Sequence, residues 1–204
     1  MPVTVVDHPL VQEALTALRD ERTAPSAFRA LARRISYGLL LEALRDLPGR
    51  TIEVRSPLAT ARGVDLEDLV AVPVLRAGLG MLDALTDLDP SIPVGYLGLQ
   101  RDEETLEPAH YYRKLPPMRG RHALVLDPML ATGGSASAAC ASVRDAGPAS
   151  IRFVCVVAAP EGIARLGADH PDVPVVTAAI DERLDERGYI VPGLGDFGDR
   201  LFGT

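Results

Sequence analysis

The sequence predicts an α/β fold: a doubly wound, mainly parallel central sheet with flanking helices. Three observations carry that expectation. Short apolar runs at Leu69–Leu75, Ala123–Leu126 and Ile151–Val157 read as strands buried on both faces. Segments of helical spacing alternate with them, the pattern of parallel crossovers. Twice an apolar run ends in a loop of small residues that opens a helix, at Arg76-Ala77-Gly78-Leu79-Gly80 and at Asp127–Ser135. Polar groups then sit at carboxyl strand ends, where such sheets bind ligands.

Taken in order, Val3–Val6 reads as a short strand, and Asp7-His8-Pro9 as a helix start with proline suited to the first turn. Leu10, Ala14, Leu15 and Leu18 form its apolar stripe. Arg19–Ala24 reads as a loop. Ser26 opens a longer helix, with Phe28, Leu31, Ala32, Ile35, Leu39, Ala43 and Leu44 at helical spacing and Pro48-Gly49 as its stop. Its Arg29, Arg33 and Arg45 fall mostly on the other side, as a solvated face of a scaffold or subunit-contact helix. Strands are expected at Thr51–Val54, Leu69–Leu75 and Val94–Leu99, with a helix over Met81–Leu88. Tyr111–Leu115 reads as a return strand, which makes residues 100–111 an exposed β-hairpin flap. After Ala123–Leu126 come a helix over Ala136–Arg144, a strand at Ile151–Val157, a helix over Pro160–Leu166 and a strand at Val173–Ala178. The glycine-rich tail, Gly188–Asp199, reads as a packed, irregular lobe closing over a ligand. Nothing along the chain marks a linker or repeat, so residues 1–204 are expected to form one domain.

Composition narrows the function. A net charge of -7 with a single lysine, Lys114, argues against nucleic acid or an anionic membrane as partner. A polyanionic ligand would need local donors, arginines and a metal ion. Cys140 and Cys155 lie in apolar surroundings without zinc-like spacing, and read as reduced core thiols of a cytoplasmic protein. The amino terminus has no signal-peptide pattern, and no apolar run is long enough for a bilayer.

The loop after Leu126 is an anion cradle. Free N–H groups of a first helical turn and the helix dipole favour a phosphate there. Gly133 and Gly134 allow close main-chain approach, while Thr132 and Ser135 supply hydroxyls. A Walker A loop would need a lysine before its Ser/Thr, and this loop has none. By itself the loop could also be a mere strand-to-helix turn. Arg76 has the planar fork that suits two phosphate oxygens, with a surface ion pair as its alternative; for Arg101, amid three acids, the residues alone favour the ion pair. Gly193-x-Gly195-x-x-Gly198 matches a dinucleotide fingerprint in letters only, because that motif needs a strand, a helix and an acid about 20 residues on.

Six motifs in order resemble those of the uracil phosphoribosyltransferases: Asp7–Val11, Val72–Met81, Arg101–Pro108, Asp127–Ser135, Val157–Gly162 and Tyr189–Asp196, with Arg200–Thr204 extending the match. The resemblance implies the type I phosphoribosyltransferase fold with a small C-terminal base-binding lobe. It implies transfer of a phosphoribosyl group from phosphoribosyl pyrophosphate (PRPP) to N1 of uracil, giving UMP and pyrophosphate. Asp127, Arg76, Arg101 and Asp196 would be the catalytic set. PRPP would meet Arg76, Arg101, Asp127, Pro128, Met129, Leu130, Ala131, Thr132, Gly133, Gly134, Ser135 and Asp196. Uracil would meet Ile190, Gly195, Asp196 and Phe197. Mg²⁺ would arrive on the pyrophosphate rather than in a protein cage. The family implies a homo-oligomer, dimer or larger. GTP activates some relatives; for this chain the sequence leaves that open. Phe197 stands where bacterial relatives more often have Ala, so a ring pointing inward would shrink the pocket. A regulator that senses PRPP or UMP and binds RNA is the rival class, and it lacks the basic face it would need. A purine-using enzyme on the same loop is a nearer rival.

Overall fold

A computed structural model of the protein describes residues 1–66, 68–101 and 108–204. The elements are β1 (Val3–Val5), α1 (Pro9–Arg19), α2 (Pro25–Leu44), β2 (Arg50–Arg55), β3 (Thr60–Asp65), β4 (Leu69–Leu75), α3 (Leu79–Leu88), β5 (Tyr96–Arg101) and β6 (Pro108–Lys114). They continue as β7 (His122–Leu126), β8 (Met129–Leu130), α4 (Gly134–Arg144), β9 (Ser150–Val154), β10 (Val157–Ala158), α5 (Pro160–Asp169), β11 (Val175–Thr177), β12 (Ala179–Ile180), β13 (Arg183–Leu184), β14 (Ile190–Val191) and α6 (Phe197–Phe202).

The main sheet has seven strands in the order β1-β11-β9-β7-β4-β5-β6. Every pairing is parallel except β5 with β6. From β4 the chain builds outward through β5 and β6, then returns to lay β7 on the other side of β4. The carboxyl ends of β4 and β7 therefore flank the point where strand order reverses, the position at which such sheets open a crevice.

Alternation along the buried strands divides the core. Leu69 and Ala71 of β4 and Leu124 and Leu126 of β7 join Leu15, Phe28, Ile35, Leu39, Met81 and Leu201 under α1, α2, α3 and α6. Val70, Val72, Ala123 and Val125 face Ala139, Cys140, Val143 and Leu166 under α4 and α5. Two faces at a period of two, both covered, are what make these strands read as continuous apolar runs. Both cysteines are free and buried, and burial pushes each thiol up to about 12, so neither is a thiolate at neutral pH.

Several expectations are corrected. Leu10 is exposed; Val11 takes its place beside Ala14, Leu15 and Leu18, because it packs against Gly38 of α2. α2 begins at Pro25 rather than Ser26, with proline in the first turn. The Ile151–Val157 run is two strands, and its second part joins a three-stranded sheet β12-β10-β8. β3 had no counterpart in the sequence reading. Its Thr-Ala-Arg-Gly-Val-Asp lacks apolar alternation, because β2–β3 is an exposed antiparallel arm outside the main sheet. The tail is more regular than expected: β13 and β14 pair as a hairpin and α6 ends it. The flap's strands are present, while its tip and most of the Arg101–Pro108 motif lie outside the described residues.

Candidate active site

The loop after β7 is pinned by main-chain hydrogen bonds rather than by its own side chains. Asp127 N donates to Val154 O at 3.1 Å, and Pro128 O accepts from Val156 N at 2.9 Å and Val157 N at 3.1 Å. Met129 and Leu130 then run parallel to Val157 and Ala158 as β8. Gly133 follows as the N-cap of α4 with φ 80°, a conformation glycine adopts without strain. A Cβ there would also stand 2.9 Å from the main-chain oxygen of Gly162. The chain thus enters α4 with its first turn at the carboxyl edge of the sheet, where the amides of a first helical turn are free to meet a ligand.

Two cavities adjoin at this edge. One, of about 250 Å³, is lined by Val74, Leu75, Ala77, Leu99, Asp127, Met129–Gly133, Ser135 and Ala136. The other, of about 240 Å³, is lined by Gly188, Tyr189, Ile190, Gly195–Gly198 and again by Ala77, Asp127, Met129 and Ala131. Asp127 belongs to the wall of both and is only 9% exposed. Burial pushes its carboxyl up to about 7, partly offset by a hydrogen bond from the Met129 main chain. The Asp127 carboxyl is thus buried with few protein donors, and hydroxyl donors of a ligand would stabilise its charged form.

The second cavity is held by side chains. Asp181, 7% exposed, accepts Arg19 Nη2 at 2.6 Å and Arg19 Nη1 at 2.9 Å, and its Oδ2 also takes the Gly193 N–H at 2.9 Å. Arg19 Nη1 reaches the Gly193 carbonyl as well, at 2.9 Å. Arg200 crosses in the opposite direction, donating to Leu18 O at 2.5 Å, Asp20 O at 2.6 Å and Leu194 O at 2.9 Å. Its guanidinium lies 4.5 Å from the Phe28 ring centroid, and Phe28 meets Phe197 edge-on at 4.9 Å. The Phe197 ring is therefore in the core, against Phe28 and Gly80, and leaves its main chain to the cavity. That resolves the question its size raised.

The structure brings together Asp127, Met129, Leu130, Ala131, Thr132, Gly133 and Ser135 on one side, and Ile190, Gly195, Asp196 and Phe197 on the other. Gly134 opens α4 just behind the first wall. Pro128 is not in either wall; its carbonyl anchors the loop to residues 156 and 157. Arg76 follows β4 and lines neither cavity; its side chain lies on Asp199 and Phe202. Arg101 is the last residue of β5, and its side chain lies outside what the structure describes. Sequence reasoning missed Ala77, Gly188 and Tyr189 in the walls and Arg19, Asp181 and Arg200 behind them. Arg19 and Asp181 are 162 residues apart, and no local signal could have paired them.

A switch-point cleft, a glycine turn opening a helix and a lobe built from residues 188–204 form this site. A purine phosphoribosyltransferase from Pyrococcus horikoshii shares the fold, with TM-score 0.51, 15% identity and 90% of each chain covered. A solved structure from Aquifex aeolicus is similar throughout, with TM-score 0.94, 38% identity, and 99% of this chain and 98% of that one covered. The family model for uracil phosphoribosyltransferase matches residues 5–204. Proteins of that name from Dictyoglomus thermophilum and Thermus thermophilus are 55% and 51% identical, over 99% and 100% of both chains. The chain belongs to the uracil phosphoribosyltransferase family.

Proposed function

We propose that this protein transfers the phosphoribosyl group of PRPP to N1 of uracil, with UMP and pyrophosphate as products. The observation that carries the reading is the pair of adjoining cavities with Asp127 in their common wall. A sugar seated there has its 5′-phosphate toward residues 131–135 and its anomeric carbon toward the lobe at 188–198. The bond from C1′ to the pyrophosphate oxygen breaks, the bond from C1′ to N1 forms, and the N1 proton leaves to solvent.

No protein nucleophile is required. The chain holds both reactants in line and stabilises the charge that separates at the ribose. Asp127 accepts the 2′- and 3′-hydroxyls; α4's first amides, Thr132 and Ser135 take the 5′-phosphate; Arg76 and Arg101 serve the diphosphate. Main-chain groups of Ile190, Gly195 and Phe197 read the uracil edge. An N–H aimed at the 4-oxo group would meet cytosine's amine donor to donor, a mismatch worth a factor of about 10⁴ in sites built this way.

Among the described residues no group of three or more His, Cys, Asp or Glu side chains could hold a metal ion. Asp196, a hard oxygen donor in the wall of the base cavity, fits contact with Mg²⁺ carried by the substrate's diphosphate, which supplies charge neutralisation of the leaving group. We propose a homo-oligomer as well, supported by the β2–β3 arm with Leu58 99% and Val64 75% exposed. No helix among the described residues is long and apolar enough to cross a membrane.

Radiolabelled uracil incubated with PRPP and Mg²⁺ should give UMP, and cytosine should give no product. A crystal soaked with PRPP should place the 5′-phosphate at residues 131–135; phosphate density elsewhere would reject the assignment.

A further inference from the structure

Arg76 stands at the carboxyl end of β4, yet its guanidinium lies on α6. Its Nη2 donates to Asp199 Oδ1 at 3.2 Å, and its Cζ lies 5.6 Å from the centroid of the Phe202 ring. Asp199 Oδ1 also accepts the Thr204 hydroxyl at 3.1 Å. The Asp199 amide in turn donates to Oδ1 of Asp196, the N-cap of α6, at 2.9 Å. One short helix thus holds the arginine through Asp199 and presents the base-side carboxylate through Asp196, three positions away. A guanidinium that spans two diphosphate oxygens cannot keep its fork on Asp199 at the same time.

We propose that Asp199 and Phe202 form a restraint that competes with the diphosphate for Arg76, which makes Asp199 a positioning residue for the leaving-group side of the site. The proposal rests on reading Arg76 as the diphosphate arginine. The contact has the strength such an exchange needs. The two side chains are 55% and 51% exposed, a setting in which ion pairs are weak. A diphosphate with several negative charges displaces a single screened carboxylate readily. The Arg19–Asp181 pair on the far side of the lobe is the contrast: side chains 26% and 4% exposed and a bidentate geometry, suited to permanence. When the diphosphate departs, the arginine returns to α6.

The test is isothermal titration of magnesium pyrophosphate into the full chain and its variants, each checked for folding by circular dichroism. Asp199→Asn should tighten pyrophosphate binding about two- to fivefold, the worth of an exposed pair, and the gain should vanish when Arg76→Ala is added. Structural damage would loosen binding, so the direction separates the two roles. Unchanged or weaker binding by folded Asp199→Asn overturns the restraint. Should that variant not fold, Phe202→Leu takes its place, with about twofold tightening expected from the lost ring contact; unchanged affinity overturns the proposal. Arg76→Ala alone should weaken binding. Wild-type affinity in that variant would instead overturn the reading of Arg76, a result that needs no change in α6.

Discussion

The two halves of the site are built from different materials. The phosphate side is main chain: β8 pairs with β10, the Pro128 carbonyl takes two amides, and Gly133 sets the entry to α4. The base side is held by side chains that reach across the whole sequence, Arg19 to Asp181 and Arg200 to the end of α1. Such main-chain geometry tolerates most side-chain changes outside its glycines. A side-chain clamp fails when one partner is lost, and its failure should be confined to the ligand it positions.

The largest expected effect falls on the residue common to both halves. Asp127→Asn should lower kcat by about 10²–10⁴, the loss of two hydrogen bonds to a charged acceptor. Stability should move the other way. The folded carboxyl near 7 lies above its unfolded value, so its contribution is intact below pH 4 and lost as pH rises through 7. The variant should therefore be more stable than wild type at pH 8, by at most about 4 kcal/mol of unfolding free energy in a denaturant titration, and equally stable at pH 4. A ¹³C-NMR titration of Asp127 should show a midpoint near 7 in the free protein that falls when PRPP binds. Joint loss of activity and stability at pH 8 would make Asp127 structural.

Asp181→Asn sharpens the comparison next. It leaves Arg19 half-buried without its charge partner, and KM for uracil should rise about 10- to 100-fold while KM for PRPP stays within about twofold. An equal rise in both constants would dissolve the distinction between the halves. Phe197→Ala removes a core ring, so stability should drop by about 3–5 kcal/mol in a denaturant titration. UMP synthesis should persist, with KM for uracil raised less than about tenfold, because main-chain atoms read the base. Complete inactivity in a folded variant would put the ring in the pocket. Gly133→Ala should cost more than the about 1–2 kcal/mol of its φ of 80°, because the new Cβ would also stand 2.9 Å from the Gly162 main-chain oxygen. Its KM change should fall on PRPP alone.

The phosphate half was legible because its signals are local. A continuous apolar run, an acid at its end and glycines before a helix are neighbours in sequence, and β4 matches Leu69–Leu75 residue for residue. The type of fold followed from the alternation of those runs with helices. The base half was legible only as a motif. That Phe197 turns into the core depends on Phe28, 169 positions earlier, and on the space left by Gly80. Likewise β3 is strand by pairing with β2, residue against residue from Arg50↔Asp65 to Arg55↔Thr60, and its own letters carry no strand period. The exposed Leu10 shows the same limit at smaller scale: four apolar positions fit a helical stripe, and only packing against α2 decides which edge is wet.

Lys114 has a practical consequence. It is the chain's single lysine, it is exposed, and it closes β6, the strand returning from the flap. An amine-reactive fluorophore can therefore couple to one side chain only, besides the amino terminus, giving an optical handle opposite Tyr96 at the base of the flap hairpin, the end of β5 away from the cleft.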